Sequence, residues 1–483
     1  MRITEIEIKN FRGFHKAHPI NLHSTGKNVV IYGGNGSGKS SLFLALKQFL
    51  SSYELSHTLA DHRNIFADPS DSAHIKITLS NGNPPYEWSE LVIQTNAPEI
   101  LAGYKFSGFL EYRDILKTHT LAPNNNQVNL FDLLVFTLLA DIENPFTTPR
   151  QTFSQHWATI QTKLPKDNRY TRDITALRQE LQQFNNGLNA LLPQLTAEMT
   201  EIFGRFEYGK VKLTFEPVSC FYDPTRKAIG GQEIRLTVEF ANKNLQGQHP
   251  NYLNEAKLSA IGIAIYLASL KLKPLPAGDL AILVLDDVLI GLDMSNRLPI
   301  IDIIESHFIQ NYQIFLMTYD REWFEILCEH FVDPNGSSWK AFEFYCADDN
   351  ELELPIFAER TKGRDEYLQR AEKYFKAHDY KAAAVYARSA YEAILKFFCN
   401  KKGVPVPYQD KPKNLKIDQM WTAVKNYKKN DGTDYVDSKT ASAIDKAIRK
   451  VLNPLSHSRP VSVYRREVQY AIVAVKRLHN ELQ

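Results

Sequence analysis

Val29-Val-Ile-Tyr-Gly33-Gly-Asn-Gly-Ser-Gly-Lys-Ser40 is a short apolar run that breaks into glycines and ends on Lys-Ser. The unbroken apolar run predicts a strand buried on both faces. Leu42, Leu46, Phe49 and Leu50 then recur at helical spacing. Gly33-x4-Gly38-Lys39-Ser40 therefore lies between a strand and a helix, the setting of a phosphate-binding loop. The glycines let successive backbone N–H groups curl round a β-phosphate, and the helix N-terminus adds its partial positive charge. Lys39 is placed to reach the β- and γ-phosphates, and the Ser40 hydroxyl to ligate Mg2+. ATP and Mg2+ are the expected ligands.

Such a loop needs a second acid for its metal. Leu280-Ala-Ile-Leu-Val-Leu285 is a second wholly apolar strand, and it ends on Asp286-Asp287. Asp286 is read as the metal-sphere residue and Asp287 as the general base for an attacking water. Ile314-Phe-Leu-Met317 is a third such strand, ending at Thr318-Tyr319-Asp320. Buried strands alternating with helical stretches indicate an α/β fold with a mostly parallel sheet. Ile3, Ile6 and Ile8 alternate, as do Ile75, Ile77 and Leu79 before Asn81-Gly82, a hairpin signal.

Between Thr171 and Phe206 the apolar positions Ile174, Leu177, Leu181, Phe184, Leu188, Leu191, Leu195, Met199 and Ile202 step by three or four. This spacing predicts a long amphipathic helix or coiled-coil arm of ~50 Å, with Pro193 as a kink and 153–164 as an antiparallel partner. Leu177, Leu181 and Leu188 are expected to offer self-contact between copies. A helix is expected over Leu253–Leu272. After Glu359-Arg-Thr-Lys-Gly363 the pattern is helical throughout.

The chain has 483 residues, enough for two to four domains. Its net charge of +2 is unevenly spread. Arg364–Gln483 carries 24 basic and 13 acidic residues, against 33 and 42 in the remainder. A basic appendage on an acidic body points to two functional units and makes nucleic acid a partner to consider for the second. Four scattered cysteines, Cys220, Cys328, Cys346 and Cys399, argue against a disulfide framework or cysteine zinc site. The charged, alternating N-terminus is unlike a signal peptide, and no run of about 18 apolar residues predicts a membrane span. A cytoplasmic location is expected.

Together these motifs resemble an ABC-type ATPase of the SMC/RecF group over roughly residues 1–350. The matching strings are Asn10-Phe-Arg-Gly-Phe14, the phosphate-binding loop, Lys257-Leu-Ser-Ala-Ile-Gly262 as signature, Asp286-Asp287, Gly291-Leu-Asp293 as D-loop, and Leu316-Met-Thr-Tyr-Asp320 as switch strand. The resemblance implies nucleotide contacts from Arg12, Gly33, Asn35, Gly36, Ser37, Gly38, Lys39, Ser40, Ser41, Ser259, Gly262 and Asp293. It implies metal contacts from Ser40 and Asp286, and catalytic roles for Lys39, Asp287 and Tyr319. It also implies a dimer, or a multiple of dimers, in which Ser259 of one subunit completes the ATP site of another. Ser259 as a simple helix N-cap is the alternative reading.

The chain departs from that pattern. Asp287 stands where the group has Glu, and Tyr319 where it has His. Ala260-Ile261 replaces two small residues, and Leu110-Glu-Tyr-Arg113 occupies the place of a glutamine loop. These departures imply slow hydrolysis and tight ATP binding. The expected divisions are an N-lobe at 1–145, a short coiled-coil arm at 146–206, a C-lobe at 207–355 and an all-α unit at 364–483.

That last unit resembles a HEPN-like bundle through Asp379-Tyr-Lys-Ala-Ala-Ala-Val-Tyr-Ala-Arg-Ser-Ala-Tyr-Glu392, Arg449 and Asn453-Pro-Leu-Ser-His457. Arg449 and His457 lie outside the spacing of the HEPN ribonuclease motif, so an inactive bundle is the favoured reading. The whole chain resembles the ATPase subunit of the PARIS antiphage system and, less closely, that of Septu. This implies a sensor or scaffold ATPase controlling a separate nuclease effector in response to a phage-encoded trigger protein. The alternatives are an ATPase that gates its own HEPN ribonuclease, like an anticodon nuclease, and a RecF-like DNA-repair ATPase.

Overall fold

The computed structural model describes residues 1–53, 58–122, 126–164, 171–334, 337–345, 356–360, 364–407, 416–429, 431–453 and 465–482. It divides into two compact units, Met1–Glu359 and Arg360–Gln483.

The first unit opens with β1 (Ile3–Lys9), β2 (His18–Asn21) and β3 (Asn28–Gly33), which feeds α1 (Lys39–Ser51). Next come β4 (His74–Leu79), β5 (Tyr86–Ser89), α2 (Pro98–Phe106), β6 (Gly108–Glu111) and α3 (Tyr112–Leu116). Two further helices are α4 (Phe153–Thr162) and α5 (Thr171–Gly204). The pair β7 (Val211–Phe215) and β8 (Leu236–Phe240) precedes α6 (Glu255–Lys271). The unit ends with β9 (Ile282–Asp286), β10 (Gln313–Thr318), α7 (Arg321–Leu327), β11 (Trp339–Tyr345) and β12 (Ile356–Glu359).

Six strands form the central sheet in the order β12-β11-β3-β10-β9-β6, parallel except for β12. Its apolar runs serve two cores at once. Val29, Ile31, Ile282, Val284, Phe315 and Met317 enter one core, with Leu42, Leu46 and Phe49 of α1 and the isoleucines of β1 and β4. Val30, Leu283, Leu285, Ile314 and Leu316 enter the other, with α5 and α6. This two-sided burial explains why these strands lack alternation.

The expected arm is part of the body. Leu177, Leu181, Phe184, Leu188, Leu195, Met199 and Ile202 of α5 are all fully or almost fully buried and belong to the second core. Asn185 and Asn189, one turn apart, each bond both ways to the backbone, at Cys220 and Val218 respectively. They hold that segment as a neighbouring strand would. Lys271 of α6 pairs with Glu198 and Glu201 of α5. The helix runs continuously through Pro193. The seam read as self-contact is therefore filled within one chain.

The second unit contains α8 (Arg364–Lys376), α9 (Tyr380–Lys402), α10 (Ile417–Lys425), α11 (Ser438–Ala447) and α12 (Arg465–Glu481). Asp379 caps α9 by accepting the Ala382 N–H at 2.9 Å, and Gly403 ends it in the left-handed region. Ala383, Ala384, Ala387 and Ala390 of α9 lie in its core with Ile444 and Val475. Among the described residues no helix is long and apolar enough to cross a membrane.

Candidate nucleotide site

Gly33 ends β3 where a side chain has no room: a Cβ there would lie 2.2 Å from Ser37 Oγ and 3.0 Å from the Phe344 carbonyl. Gly36 and Gly38 take φ values of 81° and 96°, which favour glycine. The loop so formed delivers Lys39 to the first turn of α1, only 4% exposed. Its ammonium donates to the carbonyls of Gly33 (2.6 Å) and Gly34 (3.4 Å), and lies 3.5 Å from Asp287 Oδ2. Ser37 Oγ is buried without a partner. Asn35 is exposed at the loop tip.

Ser40 and Asp286, far apart in sequence, meet directly: Ser40 Oγ donates to Asp286 Oδ2 at 2.8 Å. Asp286 Oδ1 is buried with no partner. Burial pushes the Asp286 carboxyl up to about 6, aided by the nearby Asp287 and Glu111 charges and opposed by Ser40 and Lys39. Asp287 has a left-handed backbone, φ 51°. Its Oδ1 accepts the Tyr319 N–H at 2.8 Å, so both oxygens are engaged. Its carboxyl too is held above the usual range, chiefly by burial.

The Tyr319 side chain is 41% exposed. Asp320 caps α7 and holds Arg297 at 2.5 Å. Asp293 is exposed and caps the short turn Met294–Arg297. Arg12 is exposed, with φ 47°; its N–H donates to His62 O at 2.7 Å. The following residue, Gly13, donates to Ser41 Oγ at 3.3 Å, which sets Arg12 beside the first turn of α1.

An oxygen-only donor set, Ser40 Oγ with the free oxygen of Asp286, suits a hard cation such as Mg2+. Among the described residues no group of three or more His, Cys, Asp or Glu converges to hold a metal. The arrangement fits an ion that arrives with phosphates and keeps much of its water.

Two expected residues are not where the reading put them. Ser259 lies in the second turn of α6, fully buried, with an unpartnered Oγ; a Cβ on Gly291 would sit 2.3 Å from it. Ser259 is not the helix cap, and its hydroxyl faces the interior of the chain. Gly262 is also internal, because a Cβ there would meet Ile115 at 2.7 Å and Thr118 Oγ1 at 2.8 Å. The residue at the helix end is Asn254, whose side chain accepts the Lys257 N–H at 3.2 Å. Asn followed by Glu255 was the available N-cap signal.

In the second unit Arg449 is exposed and donates to the Asp445 carbonyl at 3.2 Å. His457 lies outside the described residues. Arg388, not singled out from the sequence, donates to Leu452 O (2.7 Å) and Asn453 Oδ1 (2.8 Å), and also binds Glu392.

The first unit is a mostly parallel α/β sheet built round a phosphate-binding loop, and the second is an all-α unit. Residues 5–205 match the family model described as an AAA domain, and residues 362–478 the one described as a HEPN-like domain. Three solved structures show similarity at 14% identity. RecF with ATP, from the RecFOR pathway, has a TM-score of 0.47 over 74% of this chain and 98% of that one. An Smc head bound to the C-winged helix domain of ScpA has 0.43 over 75% and 98%. An Smc head with an extended coiled coil, bound to the C-terminal domain of ScpA from Pyrococcus furiosus, has 0.43 over 78% and 99%. No curated protein matches the chain.

Proposed function

We propose that the chain binds ATP with Mg2+ at the Gly33–Ser41 loop, hydrolyses it slowly, and serves as the oligomeric sensor or scaffold ATPase of an antiphage defence system that restrains a separate nuclease. The observation that carries the nucleotide reading is the Ser40–Asp286 hydrogen bond beside the buried Lys39. It joins the loop to the end of β9 around a free carboxylate oxygen.

Lys39 supplies positive charge to the β- and γ-phosphates, and the backbone N–H groups after Gly33 cradle them. Mg2+, when bound, neutralises charge on the transferring phosphoryl group. Ser40 and Asp286 would hold it. Asp287 takes the general-base role. Its side chain is short and is tied to Lys39 and the Tyr319 N–H. Freeing it requires a rearrangement, which favours slow turnover. Tyr319 offers a phenolic hydroxyl that can hydrogen-bond a phosphate oxygen. Arg12 and Asp293 are assigned to nucleotide contacts, the latter across a dimer. The exposed N-terminus of α6 at Asn254 takes the part first assigned to Ser259 in completing a second chain's site.

The defence role is drawn from the resemblance to the PARIS and Septu ATPases and from the HEPN-like match. Phage plating with Lys39→Ala tests it: protection should vanish. Undiminished protection would refute the ATP-dependent sensor. The Arg388–Asn453 contact borders the stretch containing His457 and favours a second reading, a ribonuclease gated by the ATPase. RNA cleavage by purified protein that is lost in His457→Ala would select it over the scaffold.

A further inference from the structure

A cavity of about 640 Å3 opens along β6, away from the phosphate-binding loop. It lies where the two cores of the first unit meet. Leu267, Leu270 and Leu283 come from one core, and Phe109 packs against the other. Phe136, 47% exposed, stands at its mouth. β6 is the terminal strand of the sheet, and its outer edge has no strand partner among the described residues.

The charged groups lining this cavity are Lys47, Lys117, Lys273, Asp114 and Asp141. Asp114 already binds Lys117 at 2.7 Å. Lys273, its side chain only 12% exposed, donates to Lys105 O at 2.8 Å and lies 3.7 Å from Asp141. An ammonium has three donors, so one direction remains for a further acceptor. Lys47 sits 5.8 Å from the Phe43 ring centre and has no carboxylate partner among the described residues. The lining thus joins an apolar wall of leucines and phenylalanines to a larger polar share with a surplus of one positive charge, and its volume falls within the ~300–1,000 Å3 of small-molecule sites. Burial lowers the Lys273 pKa, so an anion beside it would meet a poorly solvated cation.

We propose that this cleft binds a small organic anion with an apolar, flat body, its acidic group held by Lys273 and Lys47 and its body set between Phe136 and the leucines of α6. The binding does not rest on the ATPase reading.

The probe is 8-anilinonaphthalene-1-sulfonate, titrated by fluorescence into the full-length protein. One saturable site per chain is expected, weakened about tenfold by Lys273→Met or Phe136→Ala and unchanged by Lys39→Ala. The uncharged analogue N-phenyl-1-naphthylamine should bind more weakly. Lys47→Met serves as a second charge variant if Lys273→Met melts early. Non-saturating emission, affinity unmoved by these variants, equal affinity for the uncharged analogue, or loss in Lys39→Ala would each overturn the proposal. Mg·ATP binding measured on the same samples separates the two readings, since failure of ATP to bind with the probe retained would count against the nucleotide site alone.

Discussion

Asp286→Asn should make the nucleotide-free protein more stable while removing its response to Mg·ATP. Asp286 is 4% exposed, accepts one hydrogen bond from Ser40 and leaves its second oxygen without a partner. Its carboxyl is raised from 3.8 to about 6. A folded-state pKa above the unfolded one means the group's contribution is full below the unfolded value and is lost as pH rises through about 6. At ~1.4 kcal/mol per unit, the ionised form costs roughly 3 kcal/mol at pH 8. The neutral amide escapes most of that cost, so a gain of about 2–3 kcal/mol is expected at pH 8, shrinking toward pH 4. Saturating ligand at about 100 times its Kd adds ~2.7 kcal/mol to a competent site, and the variant should lose this. Guanidinium unfolding followed by tryptophan fluorescence reads both effects, since Trp88, Trp157, Trp323 and Trp339 all lie in the first unit. A variant less stable than wild type at pH 8, or one still stabilised by Mg·ATP, would refute the reasoning.

Four further outcomes follow from named contacts. Asp287→Asn should retain ATP binding and lower steady-state turnover, already expected below ~1 s⁻¹, by about 100-fold or more, measured by phosphate release. Asn254→Ala should cost about 1 kcal/mol as a lost helix cap and abolish ATP-dependent dimerisation in mass photometry. Ser259→Ala, at a buried hydroxyl with no partner, should leave dimerisation intact. Leu188→Ala should destabilise the first unit by about 2–5 kcal/mol in thermal melts, because Leu188 is core rather than a surface for self-association.

The phosphate-binding loop and the Asp286-Asp287 pair were legible because each is a contiguous string whose local backbone is set by its own residues. The two-faced strands were legible because double burial leaves unbroken apolar runs. The path of α5 was not. A stripe stepping by three and four is the same for a projecting coiled coil and for a helix laid on a core. What distinguishes them is the chain that covers the stripe, including the Cys220 and Val218 backbone held by Asn185 and Asn189. Ser259 was misplaced for a related reason. Its Leu-Ser-x-x-Gly string matched a motif, but the helix starts at Asn254, which turns Ser259 inward. The role of Arg388 depends on Asn453 arriving beside it, a contact across 65 residues.

Lys39, Ser40 and Asp286 are proposed to form one Mg·ATP site. Isothermal titration of wild type and Lys39→Ala with ATP, in magnesium and in EDTA, tests it most directly. One magnesium-dependent site per chain is expected in wild type, and no measurable binding in Lys39→Ala. Equal affinity in the two proteins, or wild-type binding indifferent to magnesium, would contradict it.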